Sequence, residues 1–314
     1  MRKTRIGITL GDPCGVGPEI ILKSLLKSPI RKLTQFVIIG DSQVFSLNQR
    51  RKLSFCAFAH QQNSRKTEFK PGHPSQKSAQ ASLDYLKLAC RLLKGKKIDA
   101  LVTGPLSKEL ICSLGIPFSG HTEFLARYFK TKNFDMMFIA DGLKMVVATR
   151  HIPLKEVSRQ LTITGLFSTI TLTHQALVNY FHIKKPRIAL CGLNPHAGEN
   201  GVLGDEDMKV IAPAVFQAQE KGLNVFGPIA ADTLFCPINA RPYDCLIAMY
   251  HDQGLAPMKA LYFDKLVNIT IGLPIIRTSP AHGTAFAIAG KNIADPRSMM
   301  EAILLASRLC SKKA

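Results

Sequence analysis

The chain has 314 residues, 46% hydrophobic and 20% charged, which excludes a disordered polymer and allows a substantial core in one large domain or two ordinary ones. Forty-one Lys and Arg against 22 Asp and Glu give a formal charge of +19, but the cations are dispersed and there is no Trp. A nucleic-acid partner is therefore not expected, and the charge suits anionic small substrates.

In chain order, Arg5–Leu10 reads as a strand, Gly11–Pro18 as a loop and Ile20–Leu26 as helical, with Pro18-Glu19 in the first turn. Phe36–Gly40 is a buried strand. Asn48–Pro74 is polar and unpatterned, read as a surface excursion with a weak strand near Phe55. Ala79–Leu93 has amphipathic helical spacing, and Ala100–Thr103 and Lys144–Thr149 are strands. Val157–Leu161 begins a helical stretch and Ser168–Phe181 is a helix. Arg187–Gly192 is a strand running into the loop Leu193–Gly204. Asp207–Lys221 is a helix, Cys245–Met249 a strand, Val267–Gly272 the last clear strand and Ser298–Cys310 the closing helix. Strands alternating with helices predict an α/β fold with a largely parallel sheet. Apolar runs fall short of the roughly 18 residues of a membrane span. No signal-type apolar stretch follows Met1-Arg2-Lys3, and the eight cysteines form no Cys-x-x-Cys pair. A cytoplasmic protein with reduced cysteines and no membrane partner is expected.

Polar clusters rich in Gly and Pro follow directly after strands, where open α/β sheets bind ligands. His151, His196 and His251 each stand in such a cluster. Imidazoles suit divalent metals, and three of them leave a position open for catalysis, although each alone also reads as an ordinary hydrogen-bonded histidine. Gly11–Glu19 is neither Gly-x-Gly-x-x-Gly nor a Walker loop, so it is a phosphate-approaching loop or simply a tight turn. Gly120-His-Thr-Glu123 offers donors to an anion or starts a helix. Lys259, Asn268 and Arg277 form a basic and polar group, and Asp232 is a carboxylate near a metal or a helix cap.

The wording of these motifs goes further than their spacing. Gly11–Glu19, Thr103–Lys108, Gly120–Phe124, His151–Leu154, Gly192–Glu199, Ala231–Thr233, Met249–Leu255 and Val267–Pro274 occur in order. Together they closely resemble the 4-hydroxythreonine-4-phosphate dehydrogenase (PdxA) family of vitamin B6 biosynthesis. The resemblance is weakest across Asn48–Lys70. It implies an isocitrate/isopropylmalate dehydrogenase-like fold with two α/β domains flanking a cleft. The first domain is residues 1–125 with 265–314; the second, 126–264, carries the dimer interface. It further implies a homodimer with active sites at the subunit interface, and NAD or NADP bound without a Rossmann fingerprint. A divalent metal (zinc, magnesium or cobalt) is held by the positions of His151, His196 and His251, the last reaching in from the partner subunit.

The positions of His121, Thr122, Lys259, Asn268 and Arg277 contact substrate in that family. His121 and Thr122 are assigned to its phosphate and Arg277 to carboxylate or phosphate. Lys259 is the candidate for proton transfer or charge stabilisation, and Asp232 for orienting a ligand histidine. The implied reaction oxidises 4-(phosphooxy)-L-threonine to 2-amino-3-oxo-4-(phosphooxy)butanoate, which loses carbon dioxide to give 3-amino-2-oxopropyl phosphate. The metal acidifies the hydroxyl that gives up hydride. Three features depart from the family pattern: Ala281 and Ala287 stand where acids are usual, Lys291–Arg297 lacks the Gly-rich wording, and Arg150 replaces a usual Thr. The first two bear on cofactor preference and the third on the metal site. Competing readings are a paralogue acting on another four-carbon sugar-acid phosphate such as threonate or erythronate 4-phosphate, a metal-dependent hydrolase or lyase, and a non-catalytic basic binding protein.

Overall fold

Short apolar runs without alternation, such as Ala100–Thr103 and Cys245–Tyr250, become strands covered on both faces, the pattern that parallel sheets require. The computed structural model describes residues 3–27, 30, 34–59 and 69–311. Its strands are β1 (Arg5–Thr9), β2 (Gln35–Ile39), β3 (Cys56–Ala59), β4 (Ala100–Thr103), β5 (Asp135–Ala140), β6 (Leu143–Thr149), β7 (Arg187–Cys191), β8 (Asn224–Ile229), β9 (Cys245–Tyr250), β10 (Val267–Ile271) and β11 (Ile276–Pro280). The longer helices are α1 (Gly17–Leu25), α2 (Gln76–Lys94), α3 (His121–Tyr128), α4 (Ile163–Phe181), α5 (Ala212–Glu220), α6 (His251–Tyr262) and α7 (Arg297–Ser311). The chain divides into two compact units: Met1–Lys132 with Val267–Ile269 and Leu273–Ala314, and Asn133–Leu266 with Thr270–Gly272. No single helix among the described residues is long and apolar enough to cross a membrane.

In the first unit the strand order is β3-β2-β1-β4-β11-β10, parallel except for the β10–β11 pair. Helix α2 lies on β1, β2 and β4, and α7 on β11 and β4 with α1 beside it. The order reverses between β1 and β4, so the loops Gly11–Glu19 and Thr103–Lys108 flank a topological switch point. Helix α2 begins three residues before its apolar pattern does. Ser75 and Ser78 form a reciprocal cap there, which satisfies two otherwise orphaned N–H groups.

In the second unit the order is β5-β6-β9-β7-β8, with β6, β9, β7 and β8 parallel and β5 antiparallel to β6. His151, His196 and His251 follow β6, β7 and β9, three neighbours in that order. The β5–β6 hairpin turns at Asp141-Gly142, both at positive φ (46° and 88°). An Asp-Gly pair between apolar runs is the strongest short-range hairpin signal, and it lay in plain view.

The structure corrects several expectations. Val267–Gly272 is not the last strand: β11 follows, hidden in sequence because Arg277, Thr278 and Ser279 are polar yet buried. Tyr250-His251-Asp252 is no simple strand-end loop, because His251 opens α6; Gly254 and Pro257 mask that helix in the sequence. The helix expected over Asp207–Lys221 has a widened π-type turn at Asp207–Ile211 before α5. Pro213 explains it, since it has no N–H for Lys209 and its ring crowds that carbonyl. Asn48–Pro74 is not wholly irregular: a short helix at Leu47–Lys52 and β3 occupy it, β3 starting just after Phe55, and residues 60–68 lie outside the described residues.

Candidate active site

The Gly11–Glu19 loop is built for close backbone packing. Asp12 N donates to Pro105 O at 2.8 Å and Val16 N to Thr284 O at 2.9 Å. The buried Asp12 carboxylate accepts from Cys14 N at 2.9 Å and Ser78 Oγ at 3.2 Å; burial raises its pKa above the usual carboxylate range. A Cβ on Gly11 would fall 2.1 Å from Pro105 O, and one on Gly17 2.0 Å from Leu10 O. These donors and glycines are thus committed to contacts within the protein itself. This favours the tight-turn reading over a phosphate cradle.

The anion-binding candidates assemble in the first unit. Arg277, 3% exposed, donates from Nε and Nη2 to Thr103 Oγ1 at 3.1 and 2.6 Å. Burial lowers its pKa to about 10, with Glu123 pulling upward, so it stays charged at neutral pH. Asn268 pairs with Ser279 across β10–β11, which puts Asn268 and Arg277 on one face as diagonal neighbours. Asn268 Oδ1 is buried with no hydrogen-bond partner. A buried polar atom left open in this way is costly unless a partner from outside the chain occupies it.

His121 and the buried Thr122 form the first turn of α3. The preceding Gly120 sits at φ 143° and has no side chain with which to cap the helix, so the first-turn N–H groups have no side-chain acceptor there. His121 is half-buried, and its pKa is held well below the usual imidazole value by burial, then by the positive charges of Arg277 and Lys108. Lys108 is a candidate the sequence reading did not single out, although it closes the quoted Thr103–Lys108 motif. A Cβ on Gly120 would lie 3.2 Å from Lys108 Nζ.

The metal candidates lie in the second unit. Thr149 Oγ1 donates to Met249 O at 2.7 Å, tying the end of β6 to that of β9. Gln253 reaches from α6 to Gly192 O at 2.7 Å and accepts from Met249 N at 2.7 Å, tying the β7 and β9 loops. The His151 and His251 rings stand 5.4 Å apart, centroid to centroid, in one chain. That spacing fits two imidazoles converging on one ion. His251 Nδ1 is 2.7 Å from Asp252 Oδ1, an arrangement that fixes the ring and leaves Nε2 to ligate.

The carboxylate beside a histidine is therefore Asp252, which the sequence reading did not single out. Asp232, expected in that role, is exposed and accepts from its neighbour Thr233 N at 2.8 Å. His196 is exposed in a run of five left-handed residues, His196–Asn200, with φ between 44° and 80°. Each non-glycine residue there costs roughly 1–2 kcal/mol, so surrounding contacts must impose the run. Among the described residues no set of three or more His, Cys, Asp or Glu could hold a metal within one chain. His196 thus does not join the other two.

Lys259 is half-buried in the last turn of α6. Arg150 does not turn its charge loose beside His151. Its guanidinium pairs with the buried Asp135 and stacks 4.9 Å over the Phe134 ring. Burial pushes Asp135 up to about 6 in spite of that pairing. In the first unit, Ala281 N donates to Ser298 Oγ, and Glu19 and Lys23 pin the 291–297 stretch by accepting from Ala294 N and donating to Asn292 O and Ala294 O.

The chain is similar to known proteins over nearly its whole length. The family model for pyridoxal phosphate biosynthetic protein PdxA matches residues 26–306. A 4-hydroxythreonine-4-phosphate dehydrogenase of Sulfurihydrogenibium sp. is 41% identical, over 96% of this chain and 97% of the relative. A D-threonate 4-phosphate dehydrogenase of Cupriavidus necator is 40% identical, over 98% of each. The crystal structure of 4-hydroxythreonine-4-phosphate dehydrogenase from Klebsiella pneumoniae superposes with a TM-score of 0.84 at 35% identity, covering 99% of this chain and 98% of that one. A match of this length, at this identity, means that the chain belongs to the PdxA family of pyridoxal phosphate biosynthetic proteins.

Proposed function

We propose that the protein is an NAD(P)-dependent 4-hydroxythreonine-4-phosphate dehydrogenase that requires a divalent metal. The observation that carries the reading is the first-unit receptacle: buried, charged Arg277 fixed on Thr103, the open acceptor Asn268 Oδ1 on the same face, and the His121–Thr122 helix start. It suits a small phosphorylated acid. The backbone N–H groups of the first turn of α3 and Thr122 hold the phosphate. Neutral His121 donates one N–H to it without adding charge, while Lys108 and Arg277 supply the positive field. Asn268 Oδ1 accepts from the substrate's hydroxyl or amino group.

His151, His196 and His251 hold the metal, and Asp252 keeps the His251 ring in place. Held there, a divalent cation would supply acidity to the substrate hydroxyl, and a nicotinamide cofactor would supply the hydride acceptor. Lys259 stabilises the developing negative charge or carries the proton. The 281–297 stretch would receive the cofactor, beside a cavity of about 780 Å³ bounded by Lys23, Phe45, Lys70, Gly290 and Asn292.

The working unit is a homodimer that completes the metal site. Exposed Leu154, Val202, Met208, Ile238, Leu261 and Phe263 on the second unit support that interface. The closeness of His151 and His251 in one chain supports assigning those two to one subunit, with His196 supplied by the other. This differs from the His251 crossing that the resemblance implies.

A second reading concerns the substrate, because a relative named for D-threonate 4-phosphate is as similar as those named for the amino acid. Purified protein with NAD⁺ or NADP⁺ and a divalent metal is expected to reduce the cofactor on 4-hydroxythreonine-4-phosphate, and to stop on chelation. Reduction on D-threonate 4-phosphate alone moves the assignment to the paralogue. Turnover without any nicotinamide points to a hydrolase or lyase.

A further inference from the structure

The left-handed run at His196–Asn200 has no intrinsic reason to persist, since all of its residues but Gly198 carry a Cβ that chirality disfavours there. Its entry is held from outside. Asp207 is 1% exposed. Its Oδ1 accepts from Leu193 N at 2.9 Å, and its Oδ2 accepts from Asn194 N at 3.1 Å and Asn194 Nδ2 at 3.0 Å. Asn194 Nδ2 also donates to Glu206 Oε2 at 2.8 Å, and Glu206 Oε1 accepts from Ser158 Oγ at 2.8 Å.

The chain clears backbone on two sides of the Asp207 carboxylate. A Cβ on Gly192 would fall 2.8 Å from Oδ1, and one on Gly198 3.2 Å from Oδ2. Nothing in the proposed chemistry uses Asp207. A buried carboxyl group turned entirely onto the donors of one loop needs a structural purpose there, and that loop carries His196.

We infer that Asp207 is a positioning residue: through Leu193 and Asn194 it holds the left-handed turn that presents His196 to the metal. The inference rests on the reading of His196 as a ligand.

The test is cobalt(II) affinity of the full-length protein, titrated by visible absorption, with thermal unfolding measured in parallel. Asp207→Asn keeps the size but replaces one acceptor oxygen with a donor facing N–H groups. It is expected to weaken cobalt binding about tenfold or more, the range found when the supporting shell of a metal site is removed. Adding Ala197→Gly, which relieves the left-handed conformation, is expected to restore part of that loss; a purely structural role elsewhere would not respond to it. Wild-type affinity in Asp207→Asn overturns the inference. Wild-type affinity in His196→Ala overturns instead the reading on which it rests. Should Asp207→Asn lose its cooperative melt, Asn194→Ala carries the same test with the charge intact: weakened cobalt binding supports the inference and unchanged binding overturns it.

Discussion

Arg277 shows how a single residue acquires a role that its sequence neighbourhood hides. In the sequence it is one cation of 41 basic residues; in the fold it is buried on β11 with its guanidinium on Thr103. The same burial and the same charge act on His121, whose pKa is pushed well below 6.5. The stability consequence has a definite sign. Below pH 6.5 the unfolded chain takes up a proton on this histidine that the folded chain refuses, so folding free energy is lost as the pH falls from there. Asp135, raised to about 6, acts in the opposite direction as the pH falls through that value. The comparison must therefore be between variants. His121→Asn is expected to lose less thermal stability than wild type between pH 7 and 5.5, measured by thermal unfolding in buffers without phosphate. Parallel losses in the two proteins would remove His121 as the source.

At the scale of elements, the decisive contacts are between backbones. The loops after β1 and β4 approach so closely that Gly104 N donates to Thr9 O at 3.0 Å, and a Cβ on Gly104 would fall 2.5 Å from Leu10 O. Gly104→Ala is expected to cost about 1–3 kcal/mol in denaturant unfolding, because backbone has to move aside. A stability equal to wild type would mean that this junction yields cheaply. The elements that escaped the sequence reading did so for separate reasons. β11 is polar but buried, α6 contains Gly254 and Pro257, and β8 contains Gly227 and Pro228. The β5–β6 hairpin was legible in Asp141-Gly142. Helix caps were legible too, since Ser75 and Thr162 stand where α2 and α4 begin.

At the scale of the molecule, the proposed metal site draws on three histidines that follow neighbouring strands. On the proposed arrangement, with His151 and His251 in one subunit and His196 supplied by the other, mixed inactive subunits follow a rule. Heterodimers of His196→Ala with His151→Ala are expected to regain one intact site in two, because one protomer keeps both paired histidines and the other keeps His196. Heterodimers of His151→Ala with His251→Ala are expected to stay inactive. Activity in the second mixture and none in the first would transfer His251, not His196, to the crossing position.

Much of this protein was determined by sequence alone. Alternating apolar runs and helical spacing set the α/β class, and Gly- and Pro-rich clusters after strands marked the loops that carry the candidate residues. The ordered motifs identified the family, and their wording named His121, Thr122, Asn268, Arg277 and the three histidines. Tertiary structure decided what depends on residues distant in the chain. It put Asn268 on the same sheet face as Arg277, set Asp252 beside His251, and paired Arg150 with Asp135. It also buried Asp207 under the His196 loop. Periodicity reports which face of an element is apolar. Burial, charge pairing and close backbone approach depend on partners from other elements, and only the fold brings those partners together.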